Sequence, residues 1–410
     1  METHLADFIK DTPDGREAEA ILRKCVHCGF CTATCPTYQL LGDDLDSPRG
    51  RIYLIKGMLE GHAVSAKTQL HLDRCLTCRN CETTCPSGVK YGRLVDIGRK
   101  IIETRVPRSL GQRVAQTLIR EFVTRPWLFG PAMRLGQWLR PLLPTPIKNK
   151  VPPRRAPGTW PTRTHARRML LLDGCVQPSM MPNINAATAR VLDALGIRVV
   201  VAPRAGCCGG IRFHLNDQHT ALDEMRRNID AWWPTIETGA EAIVITASGC
   251  GVTVKEYGHL LRDDPAYAQK AARVSALAKD LSEIVLAYQP QLVALRRALP
   301  LRRVAWHSPC TLQHGQQLRG GVEALLQACG IELTPVAESH LCCGSAGTYS
   351  LLHADLSLAL RDRKLANLEA GQPQMIVSAN VGCLAHLQGG STIPVRHWIE
   401  VVDAVLAQPS

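Results

Sequence analysis

The chain has 410 residues and 17 cysteines, and its formal net charge is +12. Because 45% of the residues are hydrophobic, sizeable cores are possible and wholesale disorder is excluded. No apolar run is long enough to span a membrane, and the N-terminus lacks the basic and apolar regions of a secretory signal. We therefore expect a cytoplasmic chain, in which cysteines act as buried thiols, cluster ligands or redox groups rather than as disulfides.

Two cysteine runs with identical spacing lie near the N-terminus. Residues 25–36 read C-x2-C-x2-C-x3-C-P, and residues 75–86 repeat that pattern. In bacterial ferredoxins this spacing holds cubane [4Fe–4S] clusters, with three thiolates of a run on one cluster and the fourth on the other. Zinc fits poorly, because zinc sites use four ligands in paired C-x2-C units. The predicted ligands are Cys25, Cys28, Cys31 and Cys85 for cluster 1, and Cys75, Cys78, Cys81 and Cys35 for cluster 2.

The stretch between the two runs predicts a helix. The link of residues 36–74 is longer than the one that joins the two runs of a compact two-cluster ferredoxin. The apolar positions of residues 52–59 follow a helical period. This favours an α-helical ferredoxin domain of the kind found in respiratory dehydrogenase subunits. Arg49, Arg51 and Lys56 on this helix either interact with a cluster or form a solvated face, and the sequence leaves both readings open.

A basic, proline-rich segment follows a helical stretch at residues 91–121. Residues 122–168 contain nine prolines, which exclude one long helix, and no acidic residue. The basic residues alternate with Trp and Leu, a composition that suits an anionic membrane surface, an acidic partner subunit or a linker that wraps its own domains. Nucleic acid is not expected, since no helix-turn-helix, zinc finger or aromatic platform is present.

The remaining sequence contains an internal repeat of an α/β unit. Residues 169–405 alternate short β-rich runs with helical stretches, and the Cys-Cys-Gly at residues 207–209 recurs at residues 342–344. Each copy reads strand, Cys, helix, strand, Cys-Cys-Gly, helix, strand, Cys. Because ligands bind at the carboxyl edge of open α/β sheets, we expect these cysteines on loops at that edge. They are Cys175, Cys207, Cys208 and Cys250 in the first copy, and Cys310, Cys342, Cys343 and Cys383 in the second.

Other residues near these cysteines have simpler predicted roles. Cys329 belongs to neither set of four and is expected to be a small buried hydrophobe. For His307, His314, His340 and His386 we expect hydrogen bonding or packing rather than ligation.

These patterns predict a multidomain protein. An α-helical two-cluster ferredoxin domain precedes two pseudo-symmetric α/β repeats that carry the Cys-Cys-Gly (CCG) motif. The predicted boundaries are residues 1–121 for the ferredoxin domain, 122–168 for the basic linker, 169–299 for the first CCG repeat and 300–410 for the second.

Several local motifs resemble a known family. The paired ferredoxin runs and the two CCG repeats are similar to the iron–sulfur subunits related to heterodisulfide reductase. The local sequence resembles the glycolate oxidase (glycolate dehydrogenase) iron–sulfur subunits more closely still. The resemblance covers nearly all of residues 20–402 and thins in the basic linker. It rests on residues 25–42, 47–56, 72–88 (LDRCLTCRNCETTCPSG), 246–251 (TASGCG), 310–314 (CTLQH) and 339–349 (SHLCCGSAGTY).

The resemblance implies an electron-transfer subunit without catalytic residues of its own. In that family a flavin-bearing partner oxidises glycolate to glyoxylate, and electrons pass through the iron–sulfur subunit toward a quinone at the inner face of the cytoplasmic membrane. The sequence lacks a dinucleotide-binding glycine motif and a phosphate-binding loop. We therefore expect no FAD or NAD in this chain and a FAD-containing partner that supplies electrons. The alternatives are a subunit of a related lactate or glycerol-3-phosphate dehydrogenase, or a CCG-type thiol–disulfide reductase.

The CCG repeats depart from the family motif at one position each. The full motif ends in C-x-x-C, but Ala247 and Asn380 replace the first of those two cysteines. This departure argues against the reductase alternative. Three readings of the remaining thiols stay open: a further iron–sulfur cluster in each repeat or shared between them, a redox-active thiol or quinone-adjacent site, or buried cysteines without a cofactor.

Overall fold

The chain divides into two compact units in the computed structural model, which describes residues 1–296 and 303–406. The first unit comprises residues 1–117 together with 340–360, and the second comprises residues 118–339 together with the chain from residue 361 onward. The predicted boundary between the CCG repeats, at residues 299 and 300, lies outside the described residues.

Short helices dominate the first 123 residues, and two of them begin at strong caps. The side chains of Thr12 and Ser47 accept hydrogen bonds from the backbone N–H groups of Gly15 and Gly50, both at 3.0 Å, and a proline follows each cap. The helices are α1 (Pro13–Lys24), α2 (Pro36–Leu41), α3 (Pro48–Leu59), α4 (Ala66–Asp73), α5 (Asn80–Thr84), α6 (Tyr91–Arg105) and α7 (Leu110–Val123), with a 3-10 turn at Asp44–Asp46.

The core of the first unit forms where α1, α3 and α4 pack against α6. Gly98 of α6 allows α3 to approach closely, because a Cβ at this position would lie 2.7 Å from Cγ1 of Ile55. The most completely buried side chains of this core are Leu22, Ile55, Leu59, Leu72, Leu94 and Ile102.

The helical stretch predicted over residues 91–121 is divided in the structure. Helix α6 ends at Arg105, and α7 begins at Leu110. Val106 between them is extended and precedes Pro107, which disfavours the helical conformation in the residue before it.

The basic linker forms short helices rather than one long helix, as its prolines predict. Part of it packs against the first CCG repeat within the second unit: Gln137 donates a hydrogen bond to the carbonyl of Ser179 at 3.1 Å, and Arg190 donates to the carbonyl of Thr159 at 2.9 Å. The elements of the linker are α8 (Pro126–Trp138), a 3-10 turn (Arg140–Leu142) and α9 (Thr145–Lys148).

Two parallel sheets with the same strand order follow, so the predicted repeat and the fold class are confirmed. The order is β2-β1-β3-β4 in the first sheet and β6-β5-β7-β8 in the second, and all pairings are parallel. The strands are β1 (Arg167–Leu171), β2 (Ile197–Val201), β3 (Ile243–Ile245), β4 (Ala278–Asp280), β5 (Arg303–His307), β6 (Glu332–Thr334), β7 (Met375–Ser378) and β8 (Val395–His397).

Helices connect these parallel strands, as crossover connections require. They are α10 (Gln177–Met180), α11 (Asn183–Ala194), α12 (Gly210–His214), α13 (Gln218–Glu237), α14 (Ser248–Lys255), α15 (Tyr257–Leu260), α16 (Ala268–Leu277), α17 (Leu281–Leu286), α18 (Gln289–Leu295), α19 (Gly321–Ala328), α20 (Tyr349–Leu352), α21 (Ala354–Glu369), α22 (Val381–Gln388) and α23 (Trp398–Leu406), with a π turn at Thr311–Gly315. Across residues 1–296 and 303–406, no helix has both the length and the apolar character needed to cross a bilayer.

Candidate iron–sulfur centres

The two cysteine runs adopt the same local backbone. In each run the residues before and after the second cysteine have positive φ angles: 54° at His27 and 84° at Gly29 in the first run, and 51° at Thr77 and 58° at Arg79 in the second. A positive φ is costly for a β-branched residue such as Thr77. The recurrence of this turn despite its cost indicates that the turn is needed to aim the cysteines of a run at one place.

One cavity contains the whole ligand set predicted for cluster 1. It holds about 450 Å³ of empty space and is lined by Cys25, Cys28 and Cys31 of the first run and by Cys85 of the second. Burial, with a smaller contribution from the neighbouring Cys25, raises the pKa of the Cys31 thiol to about 11. Because the thiolate is the form that binds iron, cluster binding at this site must displace the Cys31 proton.

A second cavity contains the whole set predicted for cluster 2. It holds about 300 Å³ of empty space and is lined by Cys75, Cys78, Cys81 and Cys35. Hydrogen-bond donors face its sulfur atoms: the backbone N–H of Thr77 donates to Cys75 Sγ at 3.4 Å, and the Tyr91 hydroxyl donates to the same atom at 3.6 Å. Hydrogen bonds to sulfur are among the features that tune an iron–sulfur cluster. Four thiols with donors aimed at sulfur fit an iron–sulfur cluster.

The two cavities adjoin each other. Cys81 and Tyr91 line both of them. Burial, followed by the nearby Cys75, raises the pKa of Tyr91 well above its ordinary value, so this shared side chain stays a neutral hydroxyl. The crossed arrangement of the cysteines in two neighbouring cavities is the one that the ferredoxin spacing predicts, and the ligand role of each cysteine stays a prediction.

The three cations of α3 are not equivalent. Arg51 lines the second cavity and has 1% side-chain exposure, so the solvated-face reading is wrong for this residue. It forms an ion pair of 3.2 Å with Asp46, which is itself fully buried. Arg49 and Lys56 are 39% and 20% exposed and pair with nearby carboxylates. The sequence offers no periodic signal that separates Arg51 from its two neighbours.

The four cysteines of the first CCG repeat lie together. The Cys207 thiol is hydrogen-bonded with the thiols of Cys175 and Cys208, and Cys208 is hydrogen-bonded with Cys250. Hydrogen bonds from Cys207 and Cys250 lower the pKa of Cys208 well below its ordinary value. Four cysteine thiols grouped in this way form a soft, four-sulfur donor set, which suits iron–sulfur binding.

Two buried polar side chains hold the first CCG loop in place, and sequence reasoning missed both. Asn228 of α13 accepts from the backbone N–H of Gly206 at 2.8 Å and donates to the carbonyl of Cys207 at 2.7 Å. The Tyr257 hydroxyl donates to the carbonyl of Cys208 at 2.9 Å. Both side chains are fully buried. The only signal in the sequence is an Asn at a core position of an otherwise amphipathic helix.

The glycine of each CCG motif is needed for backbone geometry. Gly209 and Gly344 have φ angles of 88° and 86°. A Cβ at Gly209 would lie 2.9 Å from the carbonyl oxygen of Ala221, and one at Gly344 would lie closer still to that of Ser357. Glycine therefore allows both the left-handed turn and the close approach of the following helix.

The last cysteine of each repeat lies inside a helix, so the predicted loop position was wrong for these two. Cys250 is the third residue of α14, and Cys383 is the third residue of α22. Each helix begins directly after its strand, and Ala247 and Asn380 are the N-cap residues. Cys310 has helical backbone angles and caps the π turn, whereas the other five cysteines follow their strands outside helices, as expected.

The replaced cysteines lie where the two repeats meet within the second unit. The backbone N–H of Ser248 donates to the carbonyl of Ala379 at 3.1 Å. Asn380 caps α22, since its side-chain oxygen accepts from the N–H of Gly382 at 3.1 Å. Asn380 therefore has a structural role in the place where the family motif carries a cysteine.

In the second repeat, His307 is buried and hydrogen-bonded, and hydrogen bonding is one of the two roles expected for it from the sequence. Its Nδ1 lies 2.9 Å from the hydroxyl of Ser378, and a ring nitrogen lies within 4.8 Å of Cys383 Sγ. Burial lowers the pKa of His307 to about 3, so the ring is neutral. Cys329 is buried, as expected.

Cys342 and Cys343 belong to the segment that lies in the first unit. Two hydrogen bonds attach this segment near the cysteine runs: Asn80 donates to the carbonyl of His340 at 3.3 Å, and the Tyr349 hydroxyl donates to the carbonyl of Arg74 at 3.2 Å. Burial, with smaller contributions from Cys75 and Cys342, raises the pKa of Tyr349 well above its ordinary value. Tyr349 therefore lies close to both Cys75 and Cys342.

Comparison with known proteins agrees with this geometry. Residues 21–89 match the family described as 4Fe-4S dicluster domain, and residues 169–255 and 304–388 both match the cysteine-rich domain named CCG. The glycolate oxidase iron–sulfur subunit of Escherichia coli is 55% identical over 99% of both chains. The probable glycolate oxidase iron–sulfur subunit of Bacillus subtilis is 31% identical over 92% of this chain and 90% of its own length.

These matches define the class as a two-cluster iron–sulfur protein with paired cysteine-rich repeats. Within that class, the chain belongs to the family of glycolate oxidase iron–sulfur subunits. Similarity to lactate utilization protein A is partial: the Bacillus licheniformis protein is 29% identical over 56% of this chain and 96% of its own length. The sequence-based family resemblance and the two predicted [4Fe–4S] clusters are confirmed.

Proposed function

We propose that this chain is the electron-transfer subunit of a glycolate dehydrogenase complex. It accepts electrons from a flavin-containing subunit that oxidises glycolate to glyoxylate, and it passes them on toward a quinone. The observation that carries the proposal is the pair of adjoining cavities, each of which is lined by the full set of four cysteines predicted for its cluster and drawn from both runs. A bound [4Fe–4S] cluster supplies one-electron transfer. The crossed ligand sets and the domain boundaries predicted from the sequence are part of the proposal.

The substrate side of the proposal is supported by the relatives rather than by a pocket in this chain. A protein with 55% identity over nearly the whole chain is named as the iron–sulfur subunit of glycolate oxidase. Both cavities described above contain the predicted cluster ligands, so this proposal assigns them to clusters rather than to a small hydroxy acid. Oxidation of the substrate therefore belongs to the partner subunit in this proposal.

The test separates the relay from substrate oxidation in the assembled complex. Cys28→Ala should abolish electron flow from glycolate to quinone, because it removes a ligand of cluster 1. Reduction of the partner's flavin by glycolate should stay within about twofold of the unmodified complex. Cys329→Ala, which removes a buried cysteine outside every ligand set, is the matched control and should keep both reactions. If Cys28→Ala loses flavin reduction by glycolate while Cys329→Ala keeps it, substrate chemistry belongs to this chain and the proposal is wrong.

The first CCG repeat is proposed as a further iron–sulfur site. Its four thiols, from Cys175, Cys207, Cys208 and Cys250, are mutually hydrogen-bonded in the core of the second unit. For the second repeat, the sequence proposes Cys310, Cys342, Cys343 and Cys383 in the same role. Iron content of anaerobically purified protein measures the occupancy: Cys207→Ala should bind less iron than the Cys329→Ala control, and equal iron in the two would remove the first repeat from the account.

Peripheral contact with an anionic membrane surface is proposed for the basic linker, residues 122–168. Its apolar side chains remain exposed although part of the segment packs against the first CCG repeat. Trp127, Trp138 and Leu142 are 70%, 77% and 81% exposed, among basic residues and without a neighbouring acid in the linker. Exposed Trp and Leu beside positive charge is the composition of interfacial membrane segments. This contact would place the subunit near a quinone at the inner face of the membrane.

Vesicle sedimentation tests this contact. The double variant Trp127→Ser/Trp138→Ser should bind vesicles of anionic phospholipid at least tenfold more weakly than the unmodified protein. Replacement of exposed Trp160, which is 40% exposed in the same linker but outside its helices, is the control. Equal vesicle binding by all three proteins would show that the linker does not bind the membrane. If the double variant instead fails to assemble with its partner subunit, the exposed surface belongs to the subunit interface.

A further inference from the structure

The surroundings of the second cavity contain two buried guanidinium groups. Arg51 is 1% exposed and lines the cavity directly, and Arg99 is 6% exposed. Arg99 donates to the carbonyl of Cys75 at 2.6 Å and to the carbonyl of Leu72 at 2.8 Å. Among the described residues, Arg99 donates its hydrogen bonds to backbone carbonyls and to no carboxylate. A buried positive charge without an acid partner is costly unless something nearby is negative.

Arg51 is also linked to the sulfur of Cys35 through the side chain of Thr37. Its guanidinium donates to Oγ1 of Thr37 at 3.1 Å, and that oxygen lies 3.3 Å from the sulfur of Cys35. Cys35 and Cys75 line the same cavity as Arg51. The guanidinium is therefore adjacent to two of the four proposed cluster 2 ligands.

One buried acid is shared by several cations. Asp46, fully buried, lies 3.2 Å from Arg51, 2.9 Å from Arg74 and 3.1 Å from Nδ1 of His71. Even with His71 neutral, two guanidiniums share a single carboxylate, and Arg99 adds a third positive charge nearby. The half-buried Arg79 also lines this cavity.

The first cavity lacks an equivalent charge. The arginine that lines it, Arg49, is 39% exposed and pairs with Asp44 at 3.0 Å. Solvent screens an exposed ion pair, whereas buried charges act across a low dielectric. The potential of an iron–sulfur cluster depends on nearby charge, on hydrogen bonds to sulfur and on exposure, so the two clusters are tuned differently.

We propose that Arg51 and Arg99 raise the reduction potential of cluster 2 and thereby offset the effect of its burial. Reduction adds a negative charge to a buried site, and fixed positive charges beside it stabilise the reduced state. The two arginines are positioning and tuning residues, not ligands. The inference rests on the proposed cluster in the second cavity, while its claim concerns the charge around that cluster.

Redox titration monitored by low-temperature EPR tests the inference on the full-length holoprotein. The cluster 2 signal is identified as the one that persists in Cys28→Ala. Arg51→Gln and Arg99→Gln should each make reduction of cluster 2 at least tenfold less favourable, a downward shift of about 59 mV for a one-electron couple. Arg51→Lys, which retains the charge, should stay closer to the unmodified protein than Arg51→Gln. Asp46→Asn should shift the potential upward.

Lys56→Gln is the matched control, since this cation lies on the same helix and pairs with Glu60 away from the cavity. In this variant the equilibrium constant for reduction of cluster 2 should stay within about twofold of that of the unmodified protein. Shifts of the same sign in Arg51→Gln and Asp46→Asn, or a shift in neither, would overturn the inference. Absence of any [4Fe–4S] signal in the unmodified protein would instead overturn the proposed function, so the two failures are distinguishable. If Arg51→Gln does not assemble its cluster, Arg99→Gln and Asp46→Asn still provide the opposed signs.

Discussion

Two buried polar side chains hydrogen-bond the backbone of the first CCG loop. Asn228 and Tyr257 donate hydrogen bonds to the carbonyls of Cys207 and Cys208, and neither residue belongs to a recognisable sequence motif. The cysteine spacing could be predicted because it is local and periodic, whereas these partners lie 20 to 50 positions away along the chain. The burial of Arg51 was equally hidden, because Asp46 is recognisable as its partner only once the turn before α3 has formed.

Tyr257→Phe should destabilise the second unit by about 1–3 kcal/mol. The change leaves the buried carbonyl of Cys208 without its donor, and it removes one of the two acceptors of the buried Asn228 amide, which still donates to the carbonyl of Cys207. Tyr267→Phe is the control, because the hydroxyl of Tyr267 bonds Asp230 at the surface and its loss should cost less than about 0.5 kcal/mol. Thermal unfolding of the anaerobically purified variants measures the difference. Equal stability of the two variants would show that the CCG loop does not depend on Tyr257.

Helix and strand positions followed from the sequence wherever a cap, a proline or a strict period marks them. The start of α3 at Pro48 is such a case, with Ser47 as its cap. The break at Val106 was missed because an apolar period continues on both sides of it. The positions of Cys250 and Cys383 inside helices were missed because their strands end only a few residues earlier.

The contact between α3 and α6 can be tested with a pair of glycines. Gly98→Ala should destabilise the first unit by about 1–3 kcal/mol, since the added methyl overlaps Ile55. Gly111→Ala on exposed α7, where no described atom lies within 4 Å of the added methyl, should instead stabilise by about 0.5–1 kcal/mol. Urea unfolding of both variants provides the measurement. If Gly98→Ala leaves the free energy of unfolding unchanged, α3 and α6 can move apart at little cost.

At the scale of the whole molecule, the sequence predicts the order of modules but not the path of the chain between them. Two runs, a linker and two repeats follow directly from motifs. The inclusion of residues 340–360 in the first unit does not, because it depends on contacts such as Asn80 with His340, which are 260 positions apart. A local pattern carries no information about such a pairing. The consequence is that one CCG motif shares a compact unit with the ferredoxin-type cysteines.

The crossed ligation of the two clusters is the claim on which the account depends most. Low-temperature EPR of the reduced protein, with iron analysis, tests it in three variants: Cys28→Ala, Cys85→Ala and Cys78→Ala. Because Cys85 lines the cavity of the first run, Cys85→Ala should lose the same signal as Cys28→Ala and retain the one lost in Cys78→Ala. A Cys85→Ala spectrum that matches Cys78→Ala, or zinc in place of iron in the unmodified protein, would contradict the account.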